Sequence, residues 1–379
     1  MKNLKTYGLY IHIPFCAQKC FYCDFASYSG KDKYVEDYLR ALGKEIRRKT
    51  QGRIFDTVFI GGGTPSFLSS DELRTLSDVM KDVEMTPDYE FTMECNPGNI
   101  TEEKARVIRD MGVNRLSIGL QSSDDHILLD IGRIHTFREF EENYHMLRGL
   151  GFNNINVDLI YGLPNENMGI LRKTLDDVIA LKPEHISCYS LIIEEFTPFY
   201  FKHKKNQLNL PDEETEREMN ALIIEALKNN GYHRYEISNY AVEGRECRHN
   251  IRYWSGQEYV GCGTSAHEYL DGERQENIRT IEGYIRKMET EGSAAVREHQ
   301  NTFQEDVEEY VFMGMRMLRG IHKPGFEERF GVTMESLYQE AIDRHVSEGL
   351  LVNSEDHLSF TDKGIEFSNH VLSDFLLST

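Results

Sequence analysis

The chain has 379 residues, of which 40% are hydrophobic and 28% charged, with 9 prolines and no long polar tract. This composition excludes a disordered chain, because it supplies enough apolar surface for a folded core. The 43 basic residues do not balance the 63 acidic residues, and the net charge of −20 repels phosphate backbones. We therefore expect no nucleic-acid partner.

No apolar run approaches the ~18 residues that a membrane span requires, and residues 1–10 lack the apolar segment of a secretory signal. We therefore expect a cytoplasmic location. The 7 cysteines are odd in number and mostly scattered, which disfavours a disulfide framework. In a reducing compartment, clustered thiols instead indicate metal or redox chemistry.

Short β-rich runs alternate with amphipathic helical stretches through the first half of the chain. The predicted strands cover residues 7–12, 57–60, 89–94, 115–119, 154–160 and 185–191. The predicted helices between them cover residues 35–49, 70–82, 102–111, 137–149 and 171–181, with a serine cap at Ser69 or Ser70. This alternation predicts an α/β fold, a partial (βα)6 barrel that binds ligands at the carboxyl ends of its strands.

The pattern changes after about Pro198. A charged helix over residues 212–229 leads to a region rich in Tyr, Gly and His up to about Gly272, which we interpret as irregular. The remainder predicts a helix at 305–318, shorter helices to about 348 and a last helix opening at Thr361, as in a winged-helix-like domain. The predicted domains are a core barrel, a connecting region and a mostly helical C-terminal domain, at residues 1–235, 236–300 and 301–379.

Three cysteines follow the first predicted strand on one short loop. Cys16, Cys20 and Cys23 have the spacing C-x3-C-x2-C, and three thiolates can hold three corners of a four-iron four-sulfur cluster. The fourth iron is then open to a small molecule, as in a catalytic metal site. A zinc site with His12 or a distant residue as fourth ligand is the alternative, although zinc sites usually contain two C-x2-C pairs.

Further polar and glycine residues follow the next strands. Gly61-Gly62-Gly63-Thr64-Pro65 comes after the second strand, where glycines let a backbone approach a ligand closely. Carboxylates and amides suit ribose hydroxyls, and an arginine suits a ligand carboxylate. The candidates at these strand ends are Glu94, Gln121, Asp158 and Arg133. A plain tight turn and surface salt bridges are the alternatives.

The cysteine motif at the start of a six-unit barrel resembles the radical S-adenosylmethionine (SAM) superfamily, and nearly the whole chain is similar to its HemN/HemW branch. The resemblance implies a 4Fe-4S cluster whose open iron binds SAM and whose electron cleaves it to a 5′-deoxyadenosyl radical. It also implies one or two SAM molecules. The cofactor residues that it implies are Tyr10, Tyr22, Gly62, Gly63, Thr64, Glu94, Gln121, Arg133 and Asp158.

Two features separate the chain from the coproporphyrinogen dehydrogenases of this branch. Those enzymes carry a fourth cysteine two residues beyond the third, and a long N-terminal arm before the motif. Here Phe25 occupies that position, and only 15 residues precede Cys16. These two differences therefore disfavour oxidative decarboxylation of coproporphyrinogen III, which stays the alternative function.

The segment His249-Asn250-Ile251-Arg252-Tyr253-Trp254 is similar to the H-N-x-x-Y-W motif of haem chaperones in the same branch. Imidazole is the commonest protein ligand of haem iron, and the adjacent aromatic rings offer flat apolar surface. We expect His249 to bind haem. Cys247 and His267 are competing ligands, and ordinary packing of the motif is the non-functional alternative.

The function implied by this resemblance is a haem chaperone that delivers haem to haem-requiring respiratory proteins. Its cofactors would be the 4Fe-4S cluster, SAM and haem. An electron donor such as flavodoxin or ferredoxin and a cluster-linked homodimer are further implied, and coproporphyrinogen dehydrogenase activity is not expected.

Overall fold

Six parallel strands, each hydrogen-bonded to the next in chain order, form the centre of the computed structural model, which describes residues 5–377. The strands are β1 (Tyr7–Ile13), β2 (Phe55–Gly62), β3 (Met85–Cys95), β4 (Arg115–Gln121), β5 (Ile155–Tyr161) and β6 (His185–Ser190). The helices between them are α1 (Val35–Thr50), α2 (Ser70–Met80), α3 (Glu102–Asp110), α4 (Asp125–Asp130), α5 (Phe137–Gly149) and α6 (Met168–Leu181). The predicted α/β fold with a large parallel sheet is confirmed.

The packing explains why these segments form strands and helices. Every residue of β4 is buried, as expected for a parallel strand covered on both faces. The intervening helices turn one apolar side to the sheet; in α1 this side includes Leu39, Leu42 and Ile46. Helix α2 begins with the predicted serine cap, since Ser69 and Glu72 form a reciprocal capping box.

The sequence pattern located all six parallel strands and the five longer helices between them. It missed α4 and, after β6, the short helix α7 (Pro198–His203). Both have 6 residues, which is too short for a helical hydrophobic period to repeat. The predicted charged helix is α8 (Glu213–Asn229).

The interpretation of the region after α8 as irregular was wrong. It contains β7 (His233–Arg234), β8 (Asn239–Ala241), α9 (Arg248–Trp254), β9 (Tyr259–Cys262) and β10 (His267–Leu270), followed by β11 (Glu273–Asn277), α10 (Ile281–Thr290) and β12 (Ala295–Gln300). Strand β9 pairs with β1 in parallel, and β10 to β12 extend the sheet antiparallel beyond it, while β8 and β7 extend the other edge. These strands are short and several are polar on both faces, so they lack the alternation that predicts a strand.

The C-terminal part has a hydrophobic core of its own, which includes Val311, Phe326 and Ile342. Its elements are α11 (Phe303–Gly314), β13 (Ile321–His322), α12 (Lys323–Phe330), α13 (Met334–Ser347), β14 (Leu351–Asn353), β15 (His357–Phe360), α14 (Asp362–Glu366) and α15 (Ser368–Ser373). The three strands form an antiparallel sheet in the order β13-β15-β14, beside the helices. This agrees with the predicted helical, winged-helix-like domain.

The core of the large sheet continues into the region predicted to connect the domains. Val260, Cys262 and Tyr284 belong to the same apolar cluster as Leu9 and Ile118. The domain limits at residues 235 and 300 stay a prediction. Across residues 5–377, no helix combines the length and the apolar character needed to span a bilayer.

Candidate cofactor site

A cavity of about 590 Å³ lies at the carboxyl ends of β1 to β6 and continues inward between the strands; we call it the cofactor cavity. All the site residues predicted from the sequence line it. They are Tyr10, Cys16, Cys20, Tyr22, Cys23, Gly62, Gly63, Thr64, Glu94, Gln121, Arg133, Asp158 and His249. The structure therefore brings the predicted set together, and which of its members bind a ligand stays a prediction.

The three cysteines lie on the loop that follows β1, residues 14–28, here called the cysteine loop. Cys16 is buried, whereas Cys20 and Cys23 are half-buried. Polar hydrogens point at two of the sulfurs: Thr64 Oγ1 donates to Cys16 Sγ and Arg133 Nη1 donates to Cys20 Sγ, each at 3.5 Å. Hydrogen bonds of this kind stabilise thiolates. The donor set therefore fits an iron-sulfur cluster, which takes cysteine thiolates as ligands.

His12 is poorly placed to serve as a fourth ligand to zinc. Its Nε2–H donates to the carbonyl of Ala26 at 3.0 Å, so Nδ1 accepts from the Tyr10 hydroxyl at 2.9 Å. The imidazole is 5% exposed, and burial lowers its pKa to about 4. Metal binding would break one of these buried hydrogen bonds, so the geometry disfavours His12 as the fourth ligand of a zinc site.

Helix α7 supports the outer side of the cysteine loop. The Phe199 N–H donates to the carbonyl of Phe21 at 3.0 Å. The Phe199 ring lies 6.3 Å from the ring of Phe21 and 6.5 Å from that of Tyr22. Tyr22, a predicted cofactor residue on this loop, thus packs against α7.

The glycine turn, residues 61–64, packs against the backbone of the cysteine loop. Gly63 N–H donates to the Ile13 carbonyl and Thr64 N–H to the Phe15 carbonyl, each at 2.8 Å. A Cβ on Gly63 would lie 2.8 Å from both of those carbonyl oxygens, and one on Gly62 only 2.3 Å from the His12 ring. Glycine is therefore required by the contact between two protein segments, whereas the sequence suggested an approach to a ligand.

Two buried carboxyl groups face the cavity from β3 and β5. Glu94 accepts the Gly62 N–H at 2.9 Å, and burial, with the charge of Asp158, raises its pKa to about 7. Asp158 accepts from Ser117 Oγ at 2.9 Å and from Asn156 Nδ2 at 2.8 Å, while burial raises its pKa. Both groups can accept hydrogen bonds from ligand hydroxyls, and Glu94 can also donate one near neutral pH.

Arg133 is engaged within the protein. Its Nη2 donates to Asn96 Oδ1 at 2.9 Å and also to the carbonyl of Gly119, in addition to the bond from Nη1 to Cys20. Only its Nε lacks an acceptor among residues 5–377. The arginine predicted for a ligand carboxylate therefore already braces the cysteine loop. Gln121, at the end of β4, adopts the left-handed backbone conformation with φ of 75°.

Helix α9 carries the second sequence motif into the interior of the barrel. His249 is fully buried; its Nδ1 lies 3.0 Å from Thr57 Oγ1 and its Nε2 2.8 Å from the Tyr253 hydroxyl. Its ring stacks on Phe59 at 5.3 Å, and burial lowers its pKa to about 3. Both nitrogens are occupied in this conformation, so the predicted haem contact requires one hydrogen bond to open. Cys247 is also buried, and burial raises the pKa of its thiol to about 12.

Comparisons with known proteins place the chain in a family. The family described as Radical SAM superfamily matches residues 10–178, and the HemN C-terminal domain matches residues 302–367. The chain is 38% identical to heme chaperone HemW of Bacillus subtilis, with 97% of this chain and 98% of that protein covered. It is 34% identical to heme chaperone HemW of Escherichia coli, covering 99% and 100%. The chain belongs to the HemW family.

The resemblance predicted from the cysteine and H-N-x-x-Y-W motifs is thereby confirmed. Among solved structures, coproporphyrinogen III oxidase HemN from Escherichia coli superposes with a TM-score of 0.86 over 98% of this chain and 90% of that one. Its sequence identity is 21%, so this likeness establishes the fold alone. This member of the HemW family thus has the architecture of a radical SAM protein with a HemN-type C-terminal domain.

Gln121 and Asp158 were predicted from the sequence, but the other polar residues inside this HemW-family barrel were missed. Alternate residues of β4, β5 and β6 line the cavity: Arg115, Ser117, Gly119 and Gln121, then Asn156, Asp158 and Ile160, then Ser187 and Tyr189. Side chains two apart share one face of a strand, so polar residues at this spacing in otherwise apolar strands could have identified the set. Arg115 is 1% exposed, and among the described residues its Nε has no acceptor.

Gly63→Ala tests the contact between the glycine turn and the cysteine loop. The new Cβ would overlap two backbone oxygens, so we expect a loss of roughly 1–3 kcal/mol in the free energy of unfolding and poorer iron incorporation. Thermal unfolding and iron analysis measure both. Gly149→Ala is the control, because that position in α5 is helical with nothing within 4 Å of the added atom. Equal stability of the two variants would contradict the packing argument.

Glu94→Gln tests the raised pKa of that carboxyl group. The pKa of Glu94 in the folded protein, about 7, exceeds its ordinary value of 4.5. Between pH 4.5 and about pH 7 folding therefore takes up a proton, and the free energy of unfolding of the wild type falls as the pH rises through this range. At pH 8 the variant should be more stable by roughly 1–3 kcal/mol, and the difference should shrink toward pH 5. Thermal melts at several pH values measure it. Glu225→Gln, an exposed change on α8, should show no such trend.

Proposed function

We propose that this protein is a haem chaperone that carries a 4Fe-4S cluster and SAM and transfers haem to haem-requiring respiratory proteins. The observation that carries the proposal is similarity over almost the whole chain to proteins named heme chaperone HemW. The arrangement of the cofactor cavity supports it. The proposal includes a cytoplasmic location, an electron donor such as flavodoxin or ferredoxin, and a homodimer.

The cluster would be held by Cys16, Cys20 and Cys23. When bound, it would leave one iron open for SAM and supply the electron for SAM chemistry. The chain's own contribution is electrostatic: the N–H groups of Arg133 and the hydroxyl of Thr64 point at sulfur and offset thiolate charge. Backbone hydrogen bonds of Cys16 and Tyr28 join the two ends of the loop near its base.

SAM would lie across the strand ends, in contact with the glycine turn, Glu94, Gln121 and Asp158. SAM carries an amino group, a carboxylate and two ribose hydroxyls, and the cavity offers both acceptors and donors for them. Burial raises the pKa of Glu94 and of Asp158, so both carboxyl groups ionise less readily and repel each other less. Tyr10 closes this region from β1.

Phe25 supports the chaperone over the decarboxylase. It is 63% exposed and lines the cofactor cavity, at the sequence position where coproporphyrinogen dehydrogenases carry a fourth cysteine. An aromatic side chain there cannot supply the thiol. If the protein were found to decarboxylate coproporphyrinogen III oxidatively, that activity would replace the proposed function.

A turnover assay beside a haem-transfer assay tests the proposal. Anaerobically reconstituted protein with dithionite, SAM and coproporphyrinogen III should yield no protoporphyrinogen. The same protein loaded with haem should pass it to a haem-free respiratory cytochrome faster than free haem of equal concentration binds. Chromatography and the Soret spectrum of the cytochrome are the readouts. Decarboxylated product, or no transfer, would refute the chaperone function.

Cys20→Ser tests the ligand set of the cluster. Loss of one of three thiolates should abolish the brown absorbance and reduce iron and sulfide to background after anaerobic reconstitution. Cys188→Ser is the matched control, because Cys188 is buried in β6 and does not line the cavity. Full iron content in the Cys20 variant, or zinc in the wild type, would contradict the assignment.

A further inference from the structure

A second cavity, of about 560 Å³, adjoins the cofactor cavity. The two share Tyr10, Gly62, Glu94 and Tyr253, and also Asp24 and Phe25 of the cysteine loop. The rest of its lining comes from His12, from Ala26 of the cysteine loop, from α9 and the segment after it, from β9 to β11 with their adjoining loops, and from Met313 of the C-terminal domain. Its volume lies within the ~300–1,000 Å³ typical of small-molecule sites. A ligand there would contact the SAM region without occupying it.

Aromatic side chains dominate the inner lining of this second cavity. Tyr253 and Tyr259 pack edge to face with ring centroids 4.5 Å apart, and Trp254 and Tyr269 line the cavity beside them. Arg316 covers the Trp254 ring, at 4.5 Å from the ring centre. The buried indole N–H of Trp254 has no acceptor within the described part of the chain. Arg274 likewise covers one face of the Tyr269 ring, at 4.0 Å from the ring centre. The uncovered parts of these rings offer apolar surface to a planar ligand.

Three histidines lie at the two cavities, and they differ in the state of their ring nitrogens. His12 and His249 are buried and hydrogen-bonded at both nitrogens. His267, on β10, is exposed, lines the second cavity and makes no side-chain hydrogen bond to any of residues 5–377. A metal ion needs a free nitrogen lone pair. His267 is therefore the imidazole that can bind iron without breaking a buried hydrogen bond.

Two arginines line the same cavity, and one of them has unused donors. Arg274 is held by an ion pair with Glu309 at 2.5 Å and by a bond to the Tyr259 hydroxyl at 3.2 Å. Arg279 is exposed, and among residues 5–377 its side chain donates to the carbonyl of Asp24 alone, at 2.8 Å. The remaining N–H groups of Arg279 can therefore bind a carboxylate.

We propose that the second cavity binds haem, with His267 as axial ligand and Arg279 at a propionate. Haem is planar, apolar on its faces, carries iron and has two carboxylates, and the lining matches each property. This assignment rests on the proposed function. His249 then acts as a positioning residue, since its bond to the Tyr253 hydroxyl orients a ring shared by both cavities. An exposed axial ligand also allows a recipient's ligand to displace it.

The experiment is an anaerobic haem titration of the full-length, cluster-containing protein, followed by difference spectra in the Soret region. His267→Ala should shift the Soret band and raise the Kd about tenfold or more. His267→Cys should give the spectrum of a thiolate-ligated haem. His126→Ala, an exposed histidine on α4, is the control and should match the wild type. His249→Asn should keep the wild-type Soret position, with a weaker Kd, and Tyr253→Phe should do the same.

Arg279→Gln tests the propionate contact separately. It should weaken haem binding several-fold, but binding of haem dimethyl ester, which lacks the carboxylates, should be equal in the variant and the wild type. An equal loss for both ligands would refute that contact. An unchanged spectrum in His267→Ala with a lost band in His249→Asn would overturn the ligand assignment and leave the chaperone function intact. Absence of haem binding by the wild type would refute the proposed function itself.

Discussion

The close contact between the glycine turn and the cysteine loop is the constraint on which the cofactor site depends. Two backbone hydrogen bonds join the end of β2 to the start of the loop, and the space for a Cβ on Gly63 is filled by carbonyl oxygens. This contact fixes the loop relative to the sheet. The loop follows β1, which is hydrogen-bonded to β2 on one side and to β9 on the other, so the loop begins from a strand held within the large sheet.

Burial dominates the electrostatics of the cavity. It raises the pKa of Glu94 and Asp158 and lowers that of His12 and His249, so each group is driven toward its neutral form. The chain carries a net charge of −20, yet the charged side chains that stay ionised deep in the cavity are two arginines, Arg115 and Arg133. Such an interior suits a ligand that brings negative charge, because a carboxylate can pair with a buried guanidinium group.

The sequence predicted the parallel core and the cysteine cluster because both signals are local. Strands buried on two faces give apolar runs, and ligands on one loop give a fixed spacing. Strands β9 and β10 escaped prediction because they have only 4 residues each, and β11 because Glu273–Asn277 is polar throughout and forms a strand only through its pairing with β10 and β12. The hydrogen bonds of His249 escaped for a related reason: Thr57 lies 192 residues away in the chain. The sequence motif identified the histidine, but only the contacts in the folded structure show that both of its ring nitrogens already form hydrogen bonds.

Met313 gives the C-terminal domain a direct part in the second cavity. That domain has a separate apolar core and meets the barrel through a small cluster around Tyr235 and Met317, through the ion pair of Arg274 and Glu309, and through Arg329 on the carbonyl of Gly256. An interface of this kind can part without disrupting either core. Main-chain hydrogen bonds also cross this boundary, from the Ile237 N–H to the Arg316 carbonyl at 3.2 Å and from the Leu318 N–H to the Tyr235 carbonyl at 3.1 Å. The shape of one wall of the second cavity therefore depends on how the terminal domain packs against the barrel.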